Sequence, residues 1–325
     1  MTPDAAMAPI LAAIRAAPAV DMRAMPLAEA RALTVRTNAP WQWSAFAMAA
    51  TRELALPGPA GPVPARLHVP AGLVRPPVIV YAHGGGWTFG TNDTHDGTMR
   101  TLAGEAKAAV LGVDYRLAPE HPFPAPLDDV MAAIAFVESG GLGSEVDSSR
   151  IALAGDSAGA TLALGALIAR RDLGLPPPLG AALFYGCNAP IFDTDSHRRL
   201  GDGAFVLQTA MMRWYWSNYL GAIAPEAAPG ACAPLHADLA GLPPLHLSAA
   251  GLDPLLDDTI LLSAKLATAG VRHTVEIWPG VVHGFLRFAR DLPAARAALA
   301  AAGRDLKHLF DKAETANPPL LGRKP

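Results

Sequence analysis

The stretch RIALAGDSAGATLALGALIARR, residues 150–171, constrains this chain more than any other. A short apolar run ends in Gly-Asp, a serine follows, and an alanine- and leucine-rich run begins directly after it. The first run reads as a short strand and the second as a helix. The backbone must therefore turn sharply at Ser157. Gly155 and Gly159 allow that turn a strained conformation and let strand and helix pack closely. The Ser157 hydroxyl would stand at a helix N-terminus, where unpaired amides favour developing negative charge.

The rest of the chain repeats this alternation. Apolar or β-branched runs at 65–69, 78–82, 109–113, 151–154, 181–185, 245–249 and 273–278 read as strands. Helices are expected near 94–107, 125–138, 158–172, 255–269 and 291–311. Strand, helix, strand implies a mostly parallel central sheet with helices on both faces. The first one or two strands are expected to pair antiparallel at an edge. Two regions depart from the pattern. The first 50 residues look helical, with apolar residues at Met7, Ile10, Leu11 and Ile14 and again from Leu27 to Val35. Residues 188–235 form an aromatic-rich insertion with a helix near 206–219, and such insertions after a strand lie above the ligand crevice.

Composition narrows the classes. Of the 325 residues, 51% are hydrophobic and 17% charged, which is a globular balance. A net charge of -3 with no basic patch argues against a nucleic-acid partner. The N-terminal run carries Asp4, has no basic leader and is cut by Arg15, so it reads as an amphipathic helix. No apolar stretch is long enough to predict a membrane span. Cys187 and Cys232 read as two buried thiols in a reducing cytoplasm.

A serine needs a base, an orienter and oxyanion donors to act as a nucleophile. His83-Gly84-Gly85-Gly86-Trp87 follows the strand VIVYA, and its bare glycine amides can face a substrate oxygen. The amide of Ala158 would complete the hole. His283, in PGVVHGFLRF, lies just past the last strand run and is the candidate base. Asp253, in SAAGLDPLLDD, lies at the end of another and is the candidate orienter. Asp257 and Asp258 fall further into a helix, where they would favour its dipole. The order Ser157, Asp253, His283 matches a known triad order.

Together HGGGW at 83–87, DYRLAPEHPFPAPLDD at 114–129, GDSAGA at 155–160, DPLLDD at 253–258 and HGF at 283–285 resemble the hormone-sensitive-lipase-like (bacterial family IV) carboxylesterases of the α/β-hydrolase superfamily. The resemblance covers about residues 65 to 310. It implies an α/β-hydrolase fold with a helical cap: residues 1–50 as an N-terminal cap segment, 51–325 as the catalytic domain, and 188–235 as a second cap insertion. It implies Ser157 as nucleophile, His283 as acid/base, Asp253 as its orienter, and Gly84, Gly85 and Ala158 as oxyanion donors. It implies acyl chains of about C2 to C8, and Trp87, Phe205, Trp214 and Phe285 are expected to line the pocket. No cofactor and no metal are called for, and a homodimer is compatible with it. Glu120 and Asp114 are expected to hold loops around the site. Amidase, lactonase or carbamate hydrolase activity on the same triad is the alternative. The family also includes plant receptors that lack the histidine, and His283 argues against a non-catalytic ligand binder.

Overall fold

Apolar residues three and four positions apart fold the N-terminal run into α1 (Met7–Ala16), which buries Met7, Ile10 and Leu11. Each such side chain contributes roughly 1.5–3 kcal/mol on burial. After α2 (Leu27–Asn38) come β1 (Met48–Leu56), β2 (Val63–Pro70) and β3 (Pro77–Ala82). Strands and helices then alternate as α3 (Asn92–Ala106), β4 (Ala109–Val113), α4 (Ala125–Glu138), β5 (Asp147–Asp156) and α5 (Ala158–Asp172). β6 (Ala181–Phe184) leads into α6 (Asp195–Leu200) and α7 (Thr209–Leu220). β7 (Leu245–Leu252), α8 (Leu256–Thr268), β8 (His273–Val282) and α9 (Pro293–Ala316) complete the chain. This computed structural model describes residues 2–18 and 20–316. Residue 1, residue 19 and residues 317–325, which the expected segments 1–50 and 51–325 include, lie outside the described residues.

The eight strands form one sheet in the order β1-β2-β4-β3-β5-β6-β7-β8. β1 with β2 and β2 with β4 pair antiparallel, and every later pairing is parallel. This is the α/β-hydrolase fold, with its antiparallel edge where the sequence places it. Every residue of β3, β4 and β6 is buried, as strands covered by helices on both faces must be. Alternate residues feed two cores. Val78 and Val80 face the side that holds α4 and α5, while Ile79 and Tyr81 face the side that holds α1, α3 and α9. α5 is buried on nearly all faces, which explains its run of Ala, Gly and Leu.

The predicted helices fall within a few residues of α3, α4, α5, α7, α8 and α9. β1 and α6 are absent from the sequence reading. β1, MAATRELAL, is an edge strand with most residues wholly or partly exposed, so it lacks a clear apolar run. α6, DSHRRL, spans only six residues and is started by the Thr194 hydroxyl accepting from the His197 N–H. Both cysteines are free, buried thiols, and burial pushes them up, Cys232 to about 12, so neither is a nucleophile. Among the described residues no helix is long and apolar enough to cross a membrane.

Candidate active site

Parallel strand pairing brings the chemistry together. In the register of β3 with β5, Ala82 lies opposite Gly155, so the loops after both strands emerge side by side. In the register of β7 with β8, Leu252 lies opposite Val282, so the next residues, Asp253 and His283, are neighbours. Ser157, between β5 and α5, has φ 52 and ψ -123, a backbone state that a non-glycine residue occupies only under local constraint. Its N–H donates to Phe184 O at 2.8 Å, which ties the turn to β6. A Cβ at Gly159 would stand 2.0 Å from Ala82 O, so only glycine lets the helix start this close to β3.

The three polar side chains form one chain of hydrogen bonds. The Ser157 hydroxyl donates to His283 Nε2 at 2.9 Å. His283 Nδ1–H donates to Asp253 Oδ2 at 2.7 Å. Asp253 is fully buried, and its other oxygen accepts from the Leu255 N–H at 2.9 Å. The Tyr185 ring flanks His283 with centroids 4.9 Å apart. Ser157 retains 7% exposure and opens on a cavity of about 680 Å³.

The glycine loop corrects one sequence expectation. The Gly84 N–H does not face the cavity freely; it donates to Asp156 Oδ1 at 2.9 Å. Tyr81 OH donates to the same carboxylate at 2.7 Å, and His95 Nε2 lies 3.3 Å from it. Burial pushes the Asp156 carboxyl up, but His95, Tyr81 and the Gly84 amide outweigh it and hold it at about 2. The amides of Gly85, Gly86 and Ala158 have no hydrogen-bond partner among the described residues. Gly86 has φ 61, and a Cβ there would meet the Tyr215 ring at 2.3 Å. Burial drives His83 down to about 3, so it is neutral; its Nδ1–H donates to Gly84 O at 2.9 Å and it stacks on Tyr115.

The cavity wall also departs from expectation. None of Trp87, Phe205, Trp214 and Phe285 lines it. Trp87 is fully buried and stacks on Tyr219 with centroids 4.1 Å apart. Phe285 is buried behind Tyr185, Trp214 lies against Phe89, and Phe205 packs against the second core. The wall from 188–235 is instead Val206, Leu207, Gln208, Met211, Met212 and Tyr215, one face of α7 and its approach. The opposite wall is residues 20–23 with Thr34, Thr37 and Asn38, from α2 and the segment before it.

The loop-holding acids do as expected. Asp114 accepts from the Asn92 N–H at 2.6 Å, and Glu120 takes both ends of the Arg31 guanidinium at 2.8 and 2.7 Å. Asp258 departs from the dipole expectation: burial raises it to about 8, which leaves it largely uncharged at neutral pH, and it accepts from the Asn188 N–H at 2.7 Å. Asp156, Tyr185 and Arg287 are site residues that the sequence reading left unassigned, and Gly86 was offered only as part of the glycine run. For Asp156 the signal was adjacency to Ser157; for the rest only packing reveals the position.

Comparison with known proteins agrees with this fold. The profile of the alpha/beta hydrolase fold family matches residues 79–287. The esterase LipI of Mycobacterium tuberculosis is 40% identical over 261 residues, covering 75% of this chain and 77% of that protein. Carboxylesterase NlhH of the same organism is 39% identical over 238 residues, 72% and 74% of the two chains. The hyperthermophilic esterase from the archaeon Pyrobaculum calidifontis superposes with a TM-score of 0.89 at 32% identity, covering 95% of this chain and 99% of that one.

Proposed function

The chain belongs to the α/β-hydrolase fold family, in its hormone-sensitive-lipase-like branch, and on that premise we infer that it is a serine carboxylesterase. The observation that carries the mechanism is His283 standing 2.9 Å from the Ser157 hydroxyl and 2.7 Å from Asp253. His283 takes the proton as Ser157 Oγ attacks the ester carbonyl carbon. Asp253 fixes the tautomer that leaves Nε2 free to accept, and it stabilises the imidazolium that forms. The tetrahedral oxyanion receives the amides of Gly85, Gly86 and Ala158, and each such donor contributes about 2.7–4 kcal/mol to the transition state. The imidazolium then protonates the departing alkoxide. Water, deprotonated by His283, cleaves the acyl-enzyme and restores Ser157.

The size of the cavity, about 680 Å³, supports short- to medium-chain acyl or aryl esters. Residues 1–50 and 188–235 act as a two-part cap, a reading supported by the lining they contribute from 20–38 and from 206–215. The enzyme works as a homodimer joined at β8, the outer strand of the sheet, where Val275 and Ile277 are 38% and 46% exposed. Two buried, unbridged cysteines fit a cytoplasmic enzyme.

The test is hydrolysis of p-nitrophenyl esters from C2 to C16 by the wild type and Ser157→Ala. Turnover is expected to peak at C8 or below and to fall at least about a thousandfold in the variant. A maximum at C14 or longer would reject the confined pocket, and an unaffected variant would reject Ser157 as nucleophile.

A further inference from the structure

The helical turn Phe285–Phe288, directly after His283, faces two ways. Phe285 and Phe288 are buried, whereas Arg287 lines the cavity that Ser157 opens on. A Cβ at Gly284, the residue after His283, would stand 4.0 Å from the guanidinium carbon of Arg287. The charge is thus fixed beside the triad rather than at the cavity rim.

Its direct contacts give that charge no ion-pair partner among the described residues. Arg287 Nη1 donates to Asn38 Oδ1 at 3.2 Å. The Asn38 amide is itself oriented, because its Nδ2 donates to Thr34 O at 2.8 Å. The guanidinium lies over the Phe288 ring, 4.7 Å from its centroid. Arg287 Nε is shut off from solvent and has no acceptor. No carboxylate among the described residues forms an ion pair with it. Burial lowers its pKa, with Tyr185 and Asp156 opposing, yet a guanidinium remains protonated in proteins.

Every other charge facing the cavity has its counterpart. Asp21 pairs with Arg23 at 2.8 Å. Asp156 is held by Tyr81, Gly84 and His95, and Tyr185 OH is a further 3.4 Å neighbour. His283 has Asp253. A half-buried cation whose direct contacts are a neutral amide and an aromatic face, with the Asp156 carboxylate acting on it only without contact, favours an incoming anion. A carboxylate matches its planar fork with two parallel hydrogen bonds.

We propose that Arg287 is a specificity-determining residue of this cleft, and that the preferred substrates are esters whose acyl or alcohol portion carries a carboxylate. The inference rests on the serine-esterase reading and deepens it. One end of such a substrate pairs with Arg287, Asn38 fixes the guanidinium plane, and the ester carbonyl lies at Ser157.

The test compares kcat/KM for p-nitrophenyl butyrate and for the mono-p-nitrophenyl ester of glutaric acid, in the wild type, Arg287→Met and Arg287→Lys. The ratio of carboxylate ester to neutral ester is expected to fall about 10- to 100-fold in Arg287→Met, mainly through KM, with Arg287→Lys intermediate. A ratio unchanged within about threefold in both variants overturns the proposal while leaving the esterase reading intact. No turnover of either ester by the wild type would instead sink the esterase reading. A measurement on the unaltered enzyme covers variants that fail to fold: glutarate should inhibit competitively, and more strongly than its neutral diamide. Equal inhibition by the two would also overturn the proposal.

Discussion

Asp156 shows how one residue beside the serine can set the glycine loop. Its carboxylate occupies the Gly84 amide and so leaves the next two amides of the loop to point elsewhere. Asp156→Asn is expected to lower kcat about tenfold or more with a smaller change in KM, measured on a short p-nitrophenyl ester; an unchanged kcat would remove Asp156 from the machinery. The sign of its pH effect follows from its folded value near 2, below the ordinary 3.8. The ionised form stabilises the native state above about pH 4, and that contribution, about 2 kcal/mol, is lost as pH falls towards 2. Urea melts should therefore show wild type more stable than Asp156→Asn at pH 7 and the gap narrowing at pH 3. Ser157, Asp253 and His283 were legible in the sequence because each follows a strand in a short motif. Gly84 was not, because a string of glycines does not say which amide is already occupied. The four aromatic pocket residues failed for a related reason. Trp214 and Tyr215 are one residue apart, about 100° around a helix, and aromatic character does not choose the face. Spacing does: Gln208, Met211, Met212 and Tyr215 recur at helical intervals on the cavity side.

At the scale of elements, strand register carries the site. The pairing of β7 with β8 continues to Leu252 and Val282, beyond the runs visible in the sequence, and that continuation makes Asp253 and His283 adjacent. Buried strands and long helices were legible because their apolar patterns are strong. The exposed β1 and the one-turn α6 were not, since neither has a face apolar enough to mark it. α2 is fixed to the sheet side by Arg31, which donates to Thr88 O at 3.0 Å and Ala118 O at 3.2 Å besides pairing with Glu120. Removing residues 1–45 should therefore uncover the cores that α1 covers, increase binding of an apolar dye and cut esterase activity at least tenfold. Full activity in a well-folded truncated chain would deny these helices a part in the cap.

At the scale of the molecule, the sheet has two unequal edges. β1 exposes Thr51, Arg52 and Glu53, while β8 exposes Val275 and Ile277, and Ile260 and Leu261 of α8 are 44% and 43% exposed. An edge with this character favours pairing with a second copy. Size-exclusion chromatography with light scattering should give twice the chain mass, and Ile277→Asp should return one chain mass; a monomeric wild type at micromolar concentration rejects the homodimer. The registers that assemble the triad all lie after β1, whereas one wall of the cleft comes from residues 20–38, before the sheet begins. The Ser157–His283–Asp253 cluster and that wall of the cleft are thus written in separate stretches of the gene. Recombination or drift in the leading stretch can therefore reshape that wall while the stretches that bring Ser157, Asp253 and His283 together are inherited unchanged.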